Sequence, residues 1–437
     1  MRPSAHYQSI LELLPEIHNP KIPLDIYLER YFRERRFMGS KDRKAISTGL
    51  YDIVRNWAYI RKSFEKLPQH FITDRLSLIS YMILIKKLSQ NDFKDLFCGD
   101  TYGLLPLMPE EELIAKDLYD SCSFATEHSL ESYANIPSWM GDSRLYADTF
   151  SENLQDELRA LNEPASVDIR VNTSKTSTNN LLESLTNTLN ANVSRIHLTR
   201  NGIRIQGRPI LHTLKEFKDG HFEIQDAGSQ IIVELIQMST PRNILDYCAG
   251  AGGKTLYLAE LLNNSGNITA TDISSLRLSE AKKRARRAGI HSIHFPAFEQ
   301  LNSPAFQTQS FDCVVVDVPC TGSGTLRRKP ELRWRLTRDD IQKMSELQSK
   351  VIKKAASFVS VGGELAYITC SLFRAENEDV IKDFLDNNPD FCLQDGTERA
   401  RNLFGKSMLF KKGPFIHLSP YQTNTDGFFI AFLKRHT

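Results

Sequence analysis

The chain has 437 residues and a mass of 49.9 kDa, a length that predicts roughly three domains rather than one. Apolar residues at 41%, charged residues at 25% and a net charge of +2 exclude a wholly disordered chain, and the longest apolar stretch, Leu76 to Ile85, falls well short of the ~18 residues of a membrane span. Seven cysteines with no CxxC pair argue against a disulfide framework or a zinc ribbon, so no metal is expected and the reducing cytoplasm is the expected compartment.

The opening MRPSAHYQS lacks the apolar core of a secretory signal. From there to about residue 140, the segments ILELLPEI, LDIYLERYF, AISTGLYDIVRNWAYI and LSLISYMILIKKL carry apolar residues at three- and four-residue spacings, which predicts an all-helical domain over 1–140. The polar run from Ser121 to His128 and the region of Pro137 mark its end. Over 145–238 the pattern is mixed. VDIRVN and HFEIQDAG predict strands, NNLLESLTNTL a helix and RNGIRIQG a short strand with turns, which together make a small α+β domain.

Over 239–437 strand, glycine-rich turn and helix alternate. NILDY leads into CAGAGGKT and LYLAELLNN, NITATD into SLRLSEAKKRARRAG, DCVVVD into PCTGSG, and ELAYITC into SLFRAENEDVIKDFL. That alternation predicts a mostly parallel sheet with helices on both faces. Such a sheet binds ligands at the carboxyl ends of its strands, near the point where strand order reverses.

Three turns should lie at that edge. The first, Asp246 to Thr255, holds three glycines within four positions and leads into a helix. Its end imitates a phosphate-binding loop, but GxxxxGK[ST] requires glycine where this chain has Cys248, so an ATPase is the weaker reading. The alternative is an S-adenosylmethionine loop of the form acidic-x-G-x-G-x-G, loosely met by Asp246, Cys248, Gly250 and Gly252, with Asp272 after the next strand placed to hold two ribose hydroxyls. The second turn, from Asp317 to Gly324, carries a carboxylate and the thiol of Cys320, and the third carries Cys370. A lone cysteine after a strand is usually inert packing. Two of them converging with an aspartate beside a cofactor loop point to chemistry.

That chemistry follows from what cysteine offers. Ring carbon C5 of a pyrimidine is too weak a nucleophile to take a methyl group. A thiolate that adds to C6 makes C5 an enamine carbon, a second group must remove the C5 proton so that the thiol can leave, and an acid near N3, a task suited to Asp317, stabilises the adduct. Two thiols, one carboxylate and one sulfonium cofactor form a coherent set, although these considerations do not rank the two cysteines.

At these residues the chain resembles the RsmB/Sun (Fmu) branch of the Nol/Nop/Sun family of RNA cytosine-C5 methyltransferases. CAGAGGKT resembles the family's CAAPGGKT, DVPCTGSGTLRRKPELRW its cysteine motif IV, YITCSLFRAENE its motif VI and DGFFIAFLKR its closing strand, while RVNTSK and FEIQDAGSQ resemble the segment ahead of the catalytic domain. GSKDRKAISTGLYDIVRNW resembles the NusB-like RNA-binding domain that marks this branch. Two departures stand out: Gly250-Ala251 replaces the family's Ala-Pro, and Phe298 and Glu299 stand where the family carries an Asp near the adenine. The resemblance implies an N-terminal all-α NusB-like domain, a small α+β RNA-binding middle domain and a C-terminal α/β Rossmann-like methyltransferase domain. It makes Cys370 the nucleophile and Cys320 the residue that helps product release. Cys248, Ala249, Gly250, Ala251, Gly252, Gly253 and Lys254, with Asp272 and Asp317, would hold S-adenosyl-L-methionine.

The expected activity is therefore 5-methylcytosine formation in small-subunit (16S) ribosomal RNA, by a monomer acting on an unpaired or flipped cytosine in naked RNA or in an assembly intermediate. A non-catalytic assembly factor is the rival, disfavoured by the retention of both thiols. Three basic clusters, Arg30 to Lys62, Lys282 to Arg287 and Arg327 to Arg338, would supply phosphate contacts.

Overall fold

The computed structural model describes residues 1–18, 22–65, 67–68, 72–121, 134–236, 243–308, 310–404 and 413–436. They fall into two compact units, Met1–Ser143 with Asn153–Glu163 and Leu326–Leu336, and Arg144–Glu152 with Pro164–Thr325 and Thr337–Thr437. The first unit thus includes two later segments, and residues 164–238 share a unit with the large sheet. Beyond Ser121, the polar run expected to end the helical domain lies outside the described residues.

Among its described residues the first unit carries helices and no strand. Helices Pro3–Leu13, Leu24–Glu34, Ser40–Arg55 and Asp74–Ser80 bury Ile10, Leu28, Ile46, Leu50, Ile53 and Ile79 in one core, as the three- and four-residue spacings predict. Trp334 of the recruited segment packs against that core.

The recruited segments also explain an unexpected burial. Arg333 is 1% exposed and donates to the carbonyls of Asn135 (3.0 Å) and Leu161 (3.2 Å) and to Asn162 Oδ1 (2.6 Å). Buried Arg55 donates to Asn162 O at 3.0 Å and to Arg327 O. Burial, reinforced by the neighbouring Arg55 charge, pulls Arg333 down to about 9 against the opposing pull of Glu331. The phosphate role expected of Arg55, Arg327 and Arg333 is therefore corrected, because all three are buried in protein and at least two hold backbone carbonyls.

In the second unit, strands β1 (Val167–Val171), β2 (Val193–Arg195), β3 (Gly202–Ile205) and β4 (Phe222–Ile224) form an antiparallel sheet in the order β2-β3-β1-β4. Alternation divides its residues. Ile169, Val171, Ile203, Ile205 and Phe222 face a small core with Leu181 and Leu185 of helix Thr178–Thr188. Between them on β1, Asp168 binds Arg204 at 2.7 Å and Arg170, fully buried, binds Glu260 at 2.8 Å. Arg170 also donates to Gly253 O, so a charged residue of the small sheet holds the helix behind the glycine turn. Removing one partner of such a pair leaves a buried charge unmatched. Glu260→Ala should lower the unfolding free energy by roughly 3–5 kcal/mol, and adding Arg170→Met should recover much of that loss in chemical denaturation. Equal stability of wild type and the single variant would show the pair to be inconsequential.

The large sheet comprises β5 (Asn243–Asp246), β6 (Asn267–Ala270), β7 (Ile293–His294), β8 (Phe311–Asp317), β9 (Val359–Thr369), β10 (Phe391–Leu393), β11 (Ile416–Leu418) and β12 (Phe428–Arg435). Its order is β10-β12-β9-β8-β5-β6-β7, with β11 also pairing β12. Strands β5 to β9 run parallel and β12 runs antiparallel to β9. The apolar run of β8 is continuous because both faces are covered. Cys313 and Val315 face a core with helices Ala227–Leu235 and Gly253–Leu261, whereas Val314 and Val316 face one with helices Arg338–Ala356 and Glu378–Asn387. The chain leaves β5 for β6 and β7 on one side and returns to β8 on the other, so the switch point lies between the carboxyl ends of β5 and β8.

One predicted helix starts late. The segment after Cys370 enters its helix only at Glu378. Side-chain bonds from Asn377 to Ser371 O and from Thr369 to Asn377 hold the intervening residues in a loop instead.

Candidate active site

The glycine turn is built by close approach. Gly252 adopts φ +81° at the start of helix Gly253–Leu261, and a Cβ there would lie 2.8 Å from that of Ala281. Gly250, at φ +56°, has open space where a Cβ would project. Its N–H donates to Asp272 Oδ2 at 2.8 Å, while Asp272 Oδ1 accepts from Ser274 N at 2.7 Å. Asp272 thus pins the loop as well as standing at its mouth, a role its position in the sequence does not reveal. The carbonyls of Ala251 and Gly253 are held by Arg284 and Arg170.

Asp246, at the end of β5, is 1% exposed and accepts from the Thr255 hydroxyl at 2.6 Å, leaving its Oδ1 with no partner. Burial pushes its carboxyl up to about 7, the Thr255 bond opposing and Asp317 adding to the effect. A folded-state value above the unfolded one means that its stability contribution is present in acid and is lost as pH rises from about 4 to about 7. Asp246→Asn keeps an acceptor for Thr255 and removes this titration. The melting temperature should fall less between pH 5 and pH 8 in the variant than in wild type, by several degrees; parallel curves would reject the assignment.

Cys248 is inert. It packs against the core that holds Val314 and Val316, and burial, reinforced by the charges of Asp246, Asp317 and Asp272, raises its thiol well above an ordinary one. Phe298, where an Asp is usual in the resembling family, sets its ring edge against Tyr247 at 5.6 Å, and Glu299 is exposed.

The three residues at the ends of β8 and β9 converge. Cys320 Sγ and Cys370 Sγ lie 3.3 Å apart and are not bonded as a disulfide. Cys320 is raised well above an ordinary thiol by its contact with Cys370, by burial and by the charges of Glu376 and Asp317. Asp317 Oδ2 receives a 2.6 Å bond from Lys254 Nζ. Burial alone would lower the Lys254 ammonium, but the Asp317 charge and hydrogen bond, with Cys370, raise it. Lys254 therefore stays protonated at neutral pH, and Thr255 is engaged by Asp246, so neither is arranged as in a phosphate-binding loop.

Two features escape the sequence reading. Gly324 N donates to Cys370 O at 2.9 Å and Gly427 N to Gly324 O at 2.8 Å, tying the Cys320 loop to β9 and β12. Bonded to the residue after each thiol is a buried carboxylate, Glu376, whose motif was visible in YITCSLFRAENE but whose contacts were not.

A mostly parallel sheet with a glycine turn and carboxylates at its switch point is the architecture of a Rossmann-like methyltransferase. Residues 233–434 match the family model described as 16S rRNA methyltransferase RsmB/F. The chain is 32% identical over 311 residues to the probable ribosomal RNA small subunit methyltransferase B of Synechocystis, covering 70% of this chain and 68% of that protein. It is also 32% identical to the Bacillus subtilis protein of the same name, over 50% of this chain and 49% of that protein's length. The crystal structure of PH0851 superposes with a TM-score of 0.75 at 26% identity, covering 100% of this chain and 99% of that one. The chain belongs to the RsmB/Sun family of RNA methyltransferases.

Proposed function

We propose that the protein methylates C5 of a cytosine in 16S ribosomal RNA, with S-adenosyl-L-methionine as donor. The observation that carries this reading is the pair of thiols 3.3 Å apart beside the Lys254–Asp317 pair. The open space at Gly250, the Asp272 carboxylate beside it and the unpartnered Asp246 Oδ1 fit a cofactor at the glycine turn. Cys248 to Lys254, Asp272 and Asp317 would hold it. When bound, S-adenosylmethionine supplies an electrophilic methyl group on sulfur.

Cys370, as thiolate, adds through its sulfur to C6 of the cytosine, and the ring's electron pair moves toward N3, which takes a proton from Asp317 acting in its carboxylic acid form. C5 then carries the electron density needed to accept the methyl group. Cys320, as thiolate, takes the C5 proton, the freed electron pair re-forms the C5–C6 double bond as the C6–sulfur bond breaks, Cys370 leaves as thiolate, and N3 returns its proton to Asp317. Lys254 orients Asp317 and remains protonated. The cytosine must be unpaired or flipped, since C5 and C6 are otherwise stacked. The N-terminal unit corresponds to the proposed NusB-like RNA-binding domain and the small antiparallel sheet to a second RNA-binding element, in a cytoplasmic monomer. The test is to incubate the purified protein with 16S ribosomal RNA and methyl-labelled S-adenosylmethionine, then digest to nucleosides. Label in 5-methylcytosine is expected; label in any other nucleoside, or none, overturns the reading.

Phosphate contacts fall to the exposed members of the first basic cluster, among them Arg30, Arg33, Arg36, Lys41, Arg43 and Lys44. Arg284 and Arg287 of the second cluster are taken by Glu223. Neutralising Lys41, Arg43 and Lys44 to Gln should weaken RNA binding and flatten its dependence on log salt by roughly 0.7–0.9 per lost contact, as read by fluorescence anisotropy. An unchanged slope would return these residues to an ordinary solvated helix face.

A further inference from the structure

The two thiols are only as useful as their separation is fixed, and each follows a strand on a short turn. The residue after Cys320 is Thr321 and the residue after Cys370 is Ser371. Both bind the same carboxylate. Glu376 is fully buried, and its Oε1 accepts from Thr321 N at 2.8 Å and from Gln348 Nε2 at 2.9 Å. Its Oε2 accepts from the hydroxyls of Thr321 and Ser371. Four donors on four acceptor positions match an ionised carboxylate, which has acceptors only.

The surrounding bonds extend the clamp to the residues before each cysteine. Gln348 Nε2 also donates to Pro319 O at 2.9 Å. Asn377, next to Glu376, accepts from Thr369 Oγ1 at 2.6 Å and donates to Ser371 O at 3.0 Å. Glu376 is fixed in turn, because its own carbonyl accepts from Tyr367 Oη at 2.7 Å. Burying a carboxylate without a cationic partner is costly, and burial raises Glu376 despite its four donors. Packing alone would be served by an apolar residue of this volume.

We propose that Glu376 is the positioning residue of the two-thiol site: by holding the residue after each cysteine, it sets the separation of Cys320 and Cys370. The inference rests on the reading of Cys320 and Cys370 as the reacting pair. The groups facing the Cys320 thiol are Cys370, Glu376, Asp317 and Tyr367, with Lys254 bonded to Asp317. Among the charged forms, Glu376 and Asp317 both disfavour a second negative charge at Cys320.

Glu376→Gln is nearly isosteric, and the two hydroxyls can rotate to accept from its amide, so it removes the charge with little loss of contact. Iodoacetamide alkylation of each cysteine, followed by mass spectrometry across pH, should show the Cys320 profile displaced about one pH unit toward acid. Methyl transfer should fall roughly 10- to 100-fold in kcat, as expected for loss of alignment, with the dissociation constant for S-adenosylmethionine within about two-fold. Thr321→Val removes one hydroxyl donor and keeps the branched shape; it should lower kcat, and Thr321→Ser should restore it. Superimposable alkylation profiles in wild type and Glu376→Gln overturn the proposal, as does equal activity of Thr321→Val and Thr321→Ser. Should Glu376→Gln fail to fold, the Thr321 pair decides. A wild-type protein that transfers no methyl group to cytosine would reject the proposed reaction, while the alkylation comparison would still report on Glu376.

Discussion

Cys370→Ala should abolish methyl transfer and form no covalent complex with RNA, whereas Cys320→Ala should accumulate as a protein–RNA adduct that survives denaturation. The difference follows from the order of bond changes. Without the Cys370 sulfur, C6 is never attacked and C5 never becomes nucleophilic. Without Cys320, addition and methylation proceed, but the C5 proton stays in place and the C6–sulfur bond cannot break. The raised value of Cys320 suits this division, since it makes its thiolate the more basic and so the better acceptor of the C5 proton. Denaturing gels with labelled RNA, cofactor and each variant give the result. An adduct in Cys370→Ala and none in Cys320→Ala would exchange the two roles, and no adduct in either folded variant would reject thiol addition.

Such a separation of roles could not be read from the sequence by chemistry alone. What was legible were the features that periodicity and turns encode. The apolar runs NILDY, DCVVVD and ELAYITC gave buried strands because residues on both faces are covered, and the turns after them put Asp246, Asp317, Cys320 and Cys370 at one edge. Local spacing likewise gave the helices of the first unit.

Contacts between residues distant in the chain were not legible. Arg333 reads as one cation in a basic run, yet its guanidinium is buried against carbonyls of Asn135 and Leu161, nearly two hundred residues earlier. Sequence charge counts a residue as a ligand for phosphate before its partners are known. The same limit applies to Asp272, whose bond to Gly250 N spans 22 residues, and to Glu376, whose hydroxyl partners lie on two turns. Deleting residues 1–140 to test RNA binding would therefore also strip the cover from Arg333 and Trp334, and substitution at exposed cations is the cleaner test.

Asp317→Ala should lower single-turnover methyl transfer by about 10²- to 10⁴-fold, the range for loss of a positioned proton-transfer group, while Cys320→Ala combined with it should no longer trap RNA efficiently. Asp317 is one-third exposed on its side chain, so it can meet a ring nitrogen, and its other oxygen is fixed by Lys254 at 2.6 Å. Lys254→Met removes that fixing charge without touching the carboxylate. Because Lys254 stays protonated at neutral pH, it cannot serve as the base itself, and its effect must pass through Asp317 or the glycine turn. Lys254→Met should thus cost less than Asp317→Ala, roughly 10- to 100-fold, and the double variant should be no slower than Asp317→Ala alone, since residues acting as one unit are not additive. Rapid-quench measurement with saturating cofactor isolates the step from binding. Fully additive losses would mean that Lys254 acts on the reaction independently of Asp317, and the pair would then have to be reassigned to separate tasks.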